Sequence, residues 1–128
     1  MSTRAIIHIY EEHEDETPLI SIYKHYDGYP TKHGVGETLK EYAMDAAIMS
    51  GLPLRPTRDM HNGMGCFAAG LIKHLKNGPG DVYIIKPGTD HQHESYVYTV
   101  RPSESFKDKL TVEVENTCNS KRETILAG

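Results

Sequence analysis

Apolar and polar residues alternate along the first stretch of the chain. From residue 4 to residue 10, Ala5, Ile7 and Ile9 fall on one side of an extended backbone, and Arg4, Ile6, His8 and Tyr10 on the other, the two-residue period of a β-strand. Residues 19–26 repeat the pattern, with Ile20 and Ile22 toward a core and Tyr23 and His25 opposite. Between them, Glu11 to Pro18 repels itself and stays solvated, so the two strands read as a hairpin with an acidic tip. Asp27-Gly28-Tyr29-Pro30 then stops the second strand, because Asp-Gly and X-Pro are turn formers.

The period changes after Gly34. Leu39, Tyr42, Ala43 and Ala46 recur at helical spacing and predict a helix from Val35 to Ser50, closed by Gly51 and Pro53. Residues 52–62 hold two prolines and three charges and read as a loop. Met64, Phe67, Ala68, Leu71 and Leu75 form a second helical stripe over Gly63–Asn77, with Asn62 as N-cap and Gly78-Pro79-Gly80 as the stop. Three more strands are expected over 81–87, 95–101 and 110–116. In the last, Leu110, Val112 and Val114 alternate with Thr111, Glu113 and Glu115, so one face meets water or a partner. The connector 88–94 reads as a long hairpin loop. The tail 119–128 reads as loosely attached, with Ile125 and Leu126 able to dock.

The resulting order ββααβββ predicts one domain over residues 1–128. Its class is α+β, a two-layer sandwich in which an antiparallel sheet of about five strands carries two helices on one face.

Composition sharpens this. The chain has 128 residues, 14 Lys plus Arg, 18 Asp plus Glu, eight His, eight Tyr and two Cys. Residues 1–16 hold five acidic groups against Arg4 alone, so the whole net charge of −4 sits at the hairpin tip. With 13 charges of each sign elsewhere, bulk binding of duplex nucleic acid is not expected. No apolar run reaches the ~18–20 residues of a membrane span, and the opening residues lack the apolar stretch of a secretory signal. Cys66, in an apolar helical pattern, reads as a buried thiol and Cys118 as a free one. No paired spacing suggests zinc, and a reduced cytoplasmic pair is expected.

Four groupings carry candidate chemistry. Tyr23, Lys24, His25, Tyr26, Asp27 and Tyr29 crowd around one strand end, where a tight turn holds aromatic and polar groups firmly. They read either as a pocket wall or as turn packing. Gly34 and Gly36, then Gly63 and Gly65 after Asn62, open the two helices, with Lys32, His33, Arg55, Arg58 and His61 nearby. Glycine at a helix start admits a phosphate but also serves turns and close packing. His91 and His93, beside Asp90, have the spacing to share a cation or to stand in solvent. Cys66, one turn into a helix, is a possible nucleophile, with His61 near it in sequence. His8, Tyr10, Tyr23 and His25 share the sheet face away from the helices. That face is too apolar for casual exposure, so a homo-oligomer is expected.

Ser2-Thr3-Arg4-Ala5, the segment from Ile22 to Pro30 and Asn62-Gly63-Met64-Gly65 together resemble small proteins encoded by tailed phages and prophages. These open with an S-T-R-A-type strand and carry a Y-x-H-x-D-G-Y-P turn. The likeness spans roughly the first 80 residues, and Tyr26 stands where Trp is common in the family. It implies a phage-type origin, and with it the cytoplasm of a host cell. By analogy with compact phage proteins that sequester immune signals, the expected function is binding of a small anionic, nucleotide-like ligand of the cyclic-nucleotide or ADP-ribose type. Tyr23, His25, Tyr26, Asp27 and Tyr29 would form the aromatic wall. Arg55, Arg58, His61, Asn62, Gly63 and Gly65 would meet the phosphates, and no cofactor or metal is called for. The alternatives are a hydrolase or phosphodiesterase using His25, Asp27 or His61, and a protein–protein inhibitor using the acidic tip.

Overall fold

The computed structural model describes residues 3–51, 54, 55, 57, 59–89, 93–106 and 108–127. Ser2, Pro53, Arg58, Asp90 and His91, all invoked above, lie outside them. The elements are β1 (Ala5–Ile9), β2 (Ile20–Lys24), α1 (Val35–Met44), β3 (Ala47–Met49), β4 (Met60–Asn62), α2 (Gly63–Leu75), β5 (Val82–Ile85), β6 (Tyr96–Pro102), β7 (Leu110–Asn116) and β8 (Lys121–Leu126).

The architecture is α+β, with a six-stranded sheet in the order β5-β2-β1-β6-β7-β8 and both helices packed in one core against one of its faces. Ala5, Ile7 and Ile9 meet Val35, Leu39 and Ala43 of α1 and Met64, Phe67, Ala68 and Leu71 of α2 in that core. The register places Ile7 opposite Ile22, and His8 opposite Ser21 on the other face, as the alternation requires.

Six expectations change. The sheet is mostly antiparallel but contains one parallel pair, β1 with β6. Since β1 and β5 both run antiparallel to β2, β5 and β6 point the same way, with β2 and β1 between them. The link from β5 to β6 is therefore a crossover and not a hairpin. At its described start the Gly88 N–H donates to Ser21 Oγ at 3.0 Å on the helix-free face. The crossover reaches β6 with the Ser95 N–H on the Arg4 carbonyl at 2.8 Å.

Helix α1 ends at Met44, not Ser50, with Asp45 as its C-cap. The apolar run after it is taken by β3, which pairs in parallel with β4 inside the stretch expected to be loop. Tertiary pairing outweighs the weak propensity of three residues. The tail is not loose, because residues 121–126 form β8 on β7. A turn precedes it, with Ser120 at φ 58, and the Asn116 and Asn119 side chains accept the Cys118 and Lys121 amides. Finally, Cys66 is exposed, as is Cys118, and both are free.

Close packing fixes how α1 meets the sheet. A Cβ on Gly36 would lie 2.4 Å from the Pro30 Cα and 2.7 Å from the Tyr98 hydroxyl. Gly→Ala within a helix ordinarily stabilises by roughly 0.5–1 kcal/mol. Gly36→Ala is expected to do the opposite and to destabilise by about 2 kcal/mol, as overpacking does. Urea denaturation checks the sign.

Candidate functional site

The aromatic turn is a structural junction. The Tyr23 hydroxyl lies 2.9 Å from His25 Nδ1, and the His25 and Tyr26 rings meet edge to face at 4.5 Å. Lys24 is buried, and its ammonium donates to Asp81 Oδ2 at 2.6 Å and to the Tyr26 carbonyl at 2.7 Å. Partial burial pushes the Asp81 carboxyl upward. The Lys24 hydrogen bond, the Tyr26 amide, the Lys24 charge and the His25 amide outweigh it and hold the group below its ordinary range. Asp27 takes φ 55, its carbonyl receives the Val35 amide at 2.7 Å, and its carboxylate accepts from the Tyr29 hydroxyl at 3.2 Å. The burial of Tyr29 and this neighbouring carboxylate both raise its phenol pKa, burial first.

Gly34 and Gly36 serve this packing. A Cβ on Gly34 would fall 1.9 Å from the Tyr29 carbonyl oxygen. These glycines let the turn press on the helix start, and the space beside them is already filled by protein.

The start of α2 lies at the other end of the sheet. The turn sits beside the first residue of β1, for Gly28 donates to the Thr3 carbonyl and abuts Ala5. Gly63 instead lines a cavity with Glu11, Glu12 and Glu14, beyond the last residue of β1. Five strand residues, roughly 17 Å, separate the two levels. The structure thus does not bring Tyr23, His25, Tyr26, Asp27 and Tyr29 together with Asn62, Gly63 and Gly65. Asn62 occupies the N-cap position without capping, since its Oδ1 accepts the Gly51 amide at 2.8 Å. Gly65 has open space where a Cβ would be. Arg55 is exposed on the loop before β4, and His93 is exposed too.

His61 belongs to a different grouping. It is only 5% exposed, with its ring 5.3 Å from Phe67 and 5.7 Å from Tyr42. Tyr42 comes from α1 and stacks on His74 of α2 at 5.1 Å. Gly70 permits that approach, because a Cβ there would lie 2.4 Å from the Tyr42 hydroxyl. Around these rings opens a cavity of about 740 Å³, lined also by Thr57, Met60, Cys66, Ala69 and Lys73. His61 makes ring contacts and feels the charge of Asp59, yet no hydrogen bond reaches its nitrogens among the described residues. The ring nitrogens therefore open onto the cavity, where solvent or a ligand can meet them.

Comparison with family models, with curated proteins and with solved structures returned no match. The geometry alone therefore carries the reading.

Sequence reasoning included His61 but paired it with the wrong rings in space. Tyr42 read as one position of a core stripe, and Lys73 and His74 went unremarked. The available signal was helical spacing, since Cys66, Gly70 and His74 follow at i, i+4 and i+8 along one face of α2.

On the sheet face away from the helices Ile6 and Ser21 are fully buried and His8 nearly so, while Tyr10, Tyr23 and His25 are half-buried, so the chain itself covers only part of that face. His8 Nδ1 lies 2.7 Å from Ser21 Oγ. Beside them, Arg101 stacks over Tyr10 at 3.7 Å and donates to the His13 and Asp15 carbonyls, which holds the acidic loop down.

Burial holds the His61 imidazole below its ordinary pKa of 6.5, against a smaller opposing pull from Asp59. A depressed histidine stabilises the fold above its unfolded pKa, and that stability is lost as pH falls through the folded value. Urea midpoints are expected to drop from pH 7.5 to pH 5 partly through His61, with a shallower drop in His61→Phe.

Proposed function

We propose that the chain binds a small anionic, nucleotide-like ligand in the cavity between α1, β4 and α2 and holds it intact. The observation that carries this reading is the buried His61 imidazole, facing the cavity without a hydrogen-bonding partner among the described residues. Such a group calls for a polar atom from outside the chain. Around it stand the complements of a nucleotide: the exposed His74 ring for stacking, Lys73 for negative charge, and the Thr57 hydroxyl. The volume lies within the ~300–1,000 Å³ usual for ligand sites. No carboxylate lines the cavity among the described residues, which favours an anion over a cation. In this reading His61 does the work the sequence suggested for it, while Tyr42 and His74 replace the wall of Tyr23, His25, Tyr26, Asp27 and Tyr29.

Sequestration of a cyclic-nucleotide or ADP-ribose-type defence signal by a phage-encoded protein in the host cytoplasm fits this chemistry. The protein would be incubated with cyclic dinucleotides and ADP-ribose derivatives, washed and heat-denatured, and the released ligand identified. Intact release is the expected result, and an altered ligand would favour the hydrolase instead. Lys73→Glu and His74→Ala, both at exposed positions, are each expected to weaken capture about tenfold. Loss of capture in Tyr26→Ser, with both of those variants unaffected, would return the site to the turn.

A further inference from the structure

Both cysteines are free and exposed, and Cys66 lines the cavity that also holds the largely buried His61 ring, with no protein hydrogen bond to it among the described residues, and the Lys73 ammonium. Cys66 is the fourth residue of α2. Lys73 lies seven positions further on, which puts the two on the same face about two turns apart. Cys118 sits in the turn before β8, where its amide donates to Asn116 Oδ1 at 3.0 Å. The two thiols therefore differ in setting while sharing exposure.

We infer that Cys66 is a thiol–disulfide exchange site for small anionic disulfides, which enter the cavity beside Lys73 and leave one half attached. The inference rests on the reading that this cavity takes anions. Its chemistry needs no outside oxidant beyond the disulfide itself. The exposed Cys66 thiol loses its proton to solvent, and the thiolate attacks one sulfur of the incoming disulfide. The new sulfur–sulfur bond forms as the old one breaks, and the departing thiolate takes up a proton from solvent. One thiol and one disulfide become one mixed disulfide and one thiol, and the electrons balance. Lys73, which lines the same cavity, selects among reagents by sign of charge.

The test uses the intact protein with two small disulfides of opposite charge, glutathione disulfide and cystamine, and follows modification at each cysteine by peptide mass spectrometry over time. Glutathione disulfide is expected to modify Cys66 about tenfold faster than Cys118 at low salt. Lys73→Glu is expected to reverse the preference of Cys66 between the two reagents and to leave the ratio at Cys118 unchanged. Equal rates at the two cysteines with glutathione disulfide would overturn the inference. So would a reagent preference at Cys66 that Lys73→Glu does not move. Nucleotide capture without the Cys66 preference would sink the thiol site and leave the binding reading standing. The preference without nucleotide capture would support the thiol site and remove the nucleotide as ligand.

Discussion

The hydroxyl of Tyr98 ties the two layers of the molecule together. Tyr98 is the largest of the fully buried side chains, and a phenol in an apolar interior must find a partner for its O–H. That partner is the Gly28 carbonyl, at 2.7 Å. Burial first, and then the charge of Tyr96, pushes the phenol well above its ordinary pKa, so the group is a permanent donor. Gly28 in turn bonds Thr3 and rests on Ala5, while Gly36 lies over the hydroxyl. One bond thus fixes the turn, the entry of α1 and the position of that helix over the centre of the sheet. Tyr42, two turns into α1, reaches His61, Phe67 and His74 only because the entry is fixed.

The chain removes bulk where two elements must touch and leaves it elsewhere. Gly34 and Gly36 bring α1 onto the turn, and Gly70 lets α2 accept the edge of Tyr42. Cavity and core are therefore products of the same packing. The Tyr42 ring closes the core against Phe67 on one side and borders open space on the other. His61 is held at that boundary, desolvated by its neighbours yet without the hydrogen bond that a structural histidine would usually make. The imidazole is thus held with most of its ring in the packing and its nitrogens open to whatever fills the cavity.

How far the sequence was legible depended on the range of each interaction. Alternation marks Ala5, Ile7 and Ile9, and Leu110, Val112 and Val114, because each strand buries one regular face against the helices. The helical stripes of Leu39 and Ala43 and of Phe67 and Leu71 are legible for the same reason. β3 and β4 are three residues each, too short to show a period. β8 escapes notice because Lys121, Arg122, Glu123 and Thr124 are exposed on an edge strand, where charge guards against unwanted pairing. The crossover is a fact about which strands neighbour which, and no local pattern records it. The candidate site divides in the same way. His61 stands out as a residue type, but its meeting with Tyr42 and His74 is set by helix docking. Gly34 and Gly36 resemble an anion-binding start by composition, and only the nearby Tyr29 and Pro30 atoms reveal packing in its place.

The parallel pair at the middle of the sheet splits it into two halves that are each local in sequence terms only on one side. β6, β7 and β8 form a meander with short turns, while β5, β2 and β1 gather strands from both ends of the helical region. The two halves are joined by the ladder that sets Ala5 against Tyr96, together with the Tyr98 and Arg101 hydrogen bonds across it, and pairing strands about ninety residues apart carries a loop-closure entropy cost. Because β1 must find β6 across most of the chain, this pairing is expected to slow folding relative to a sheet built of hairpins alone.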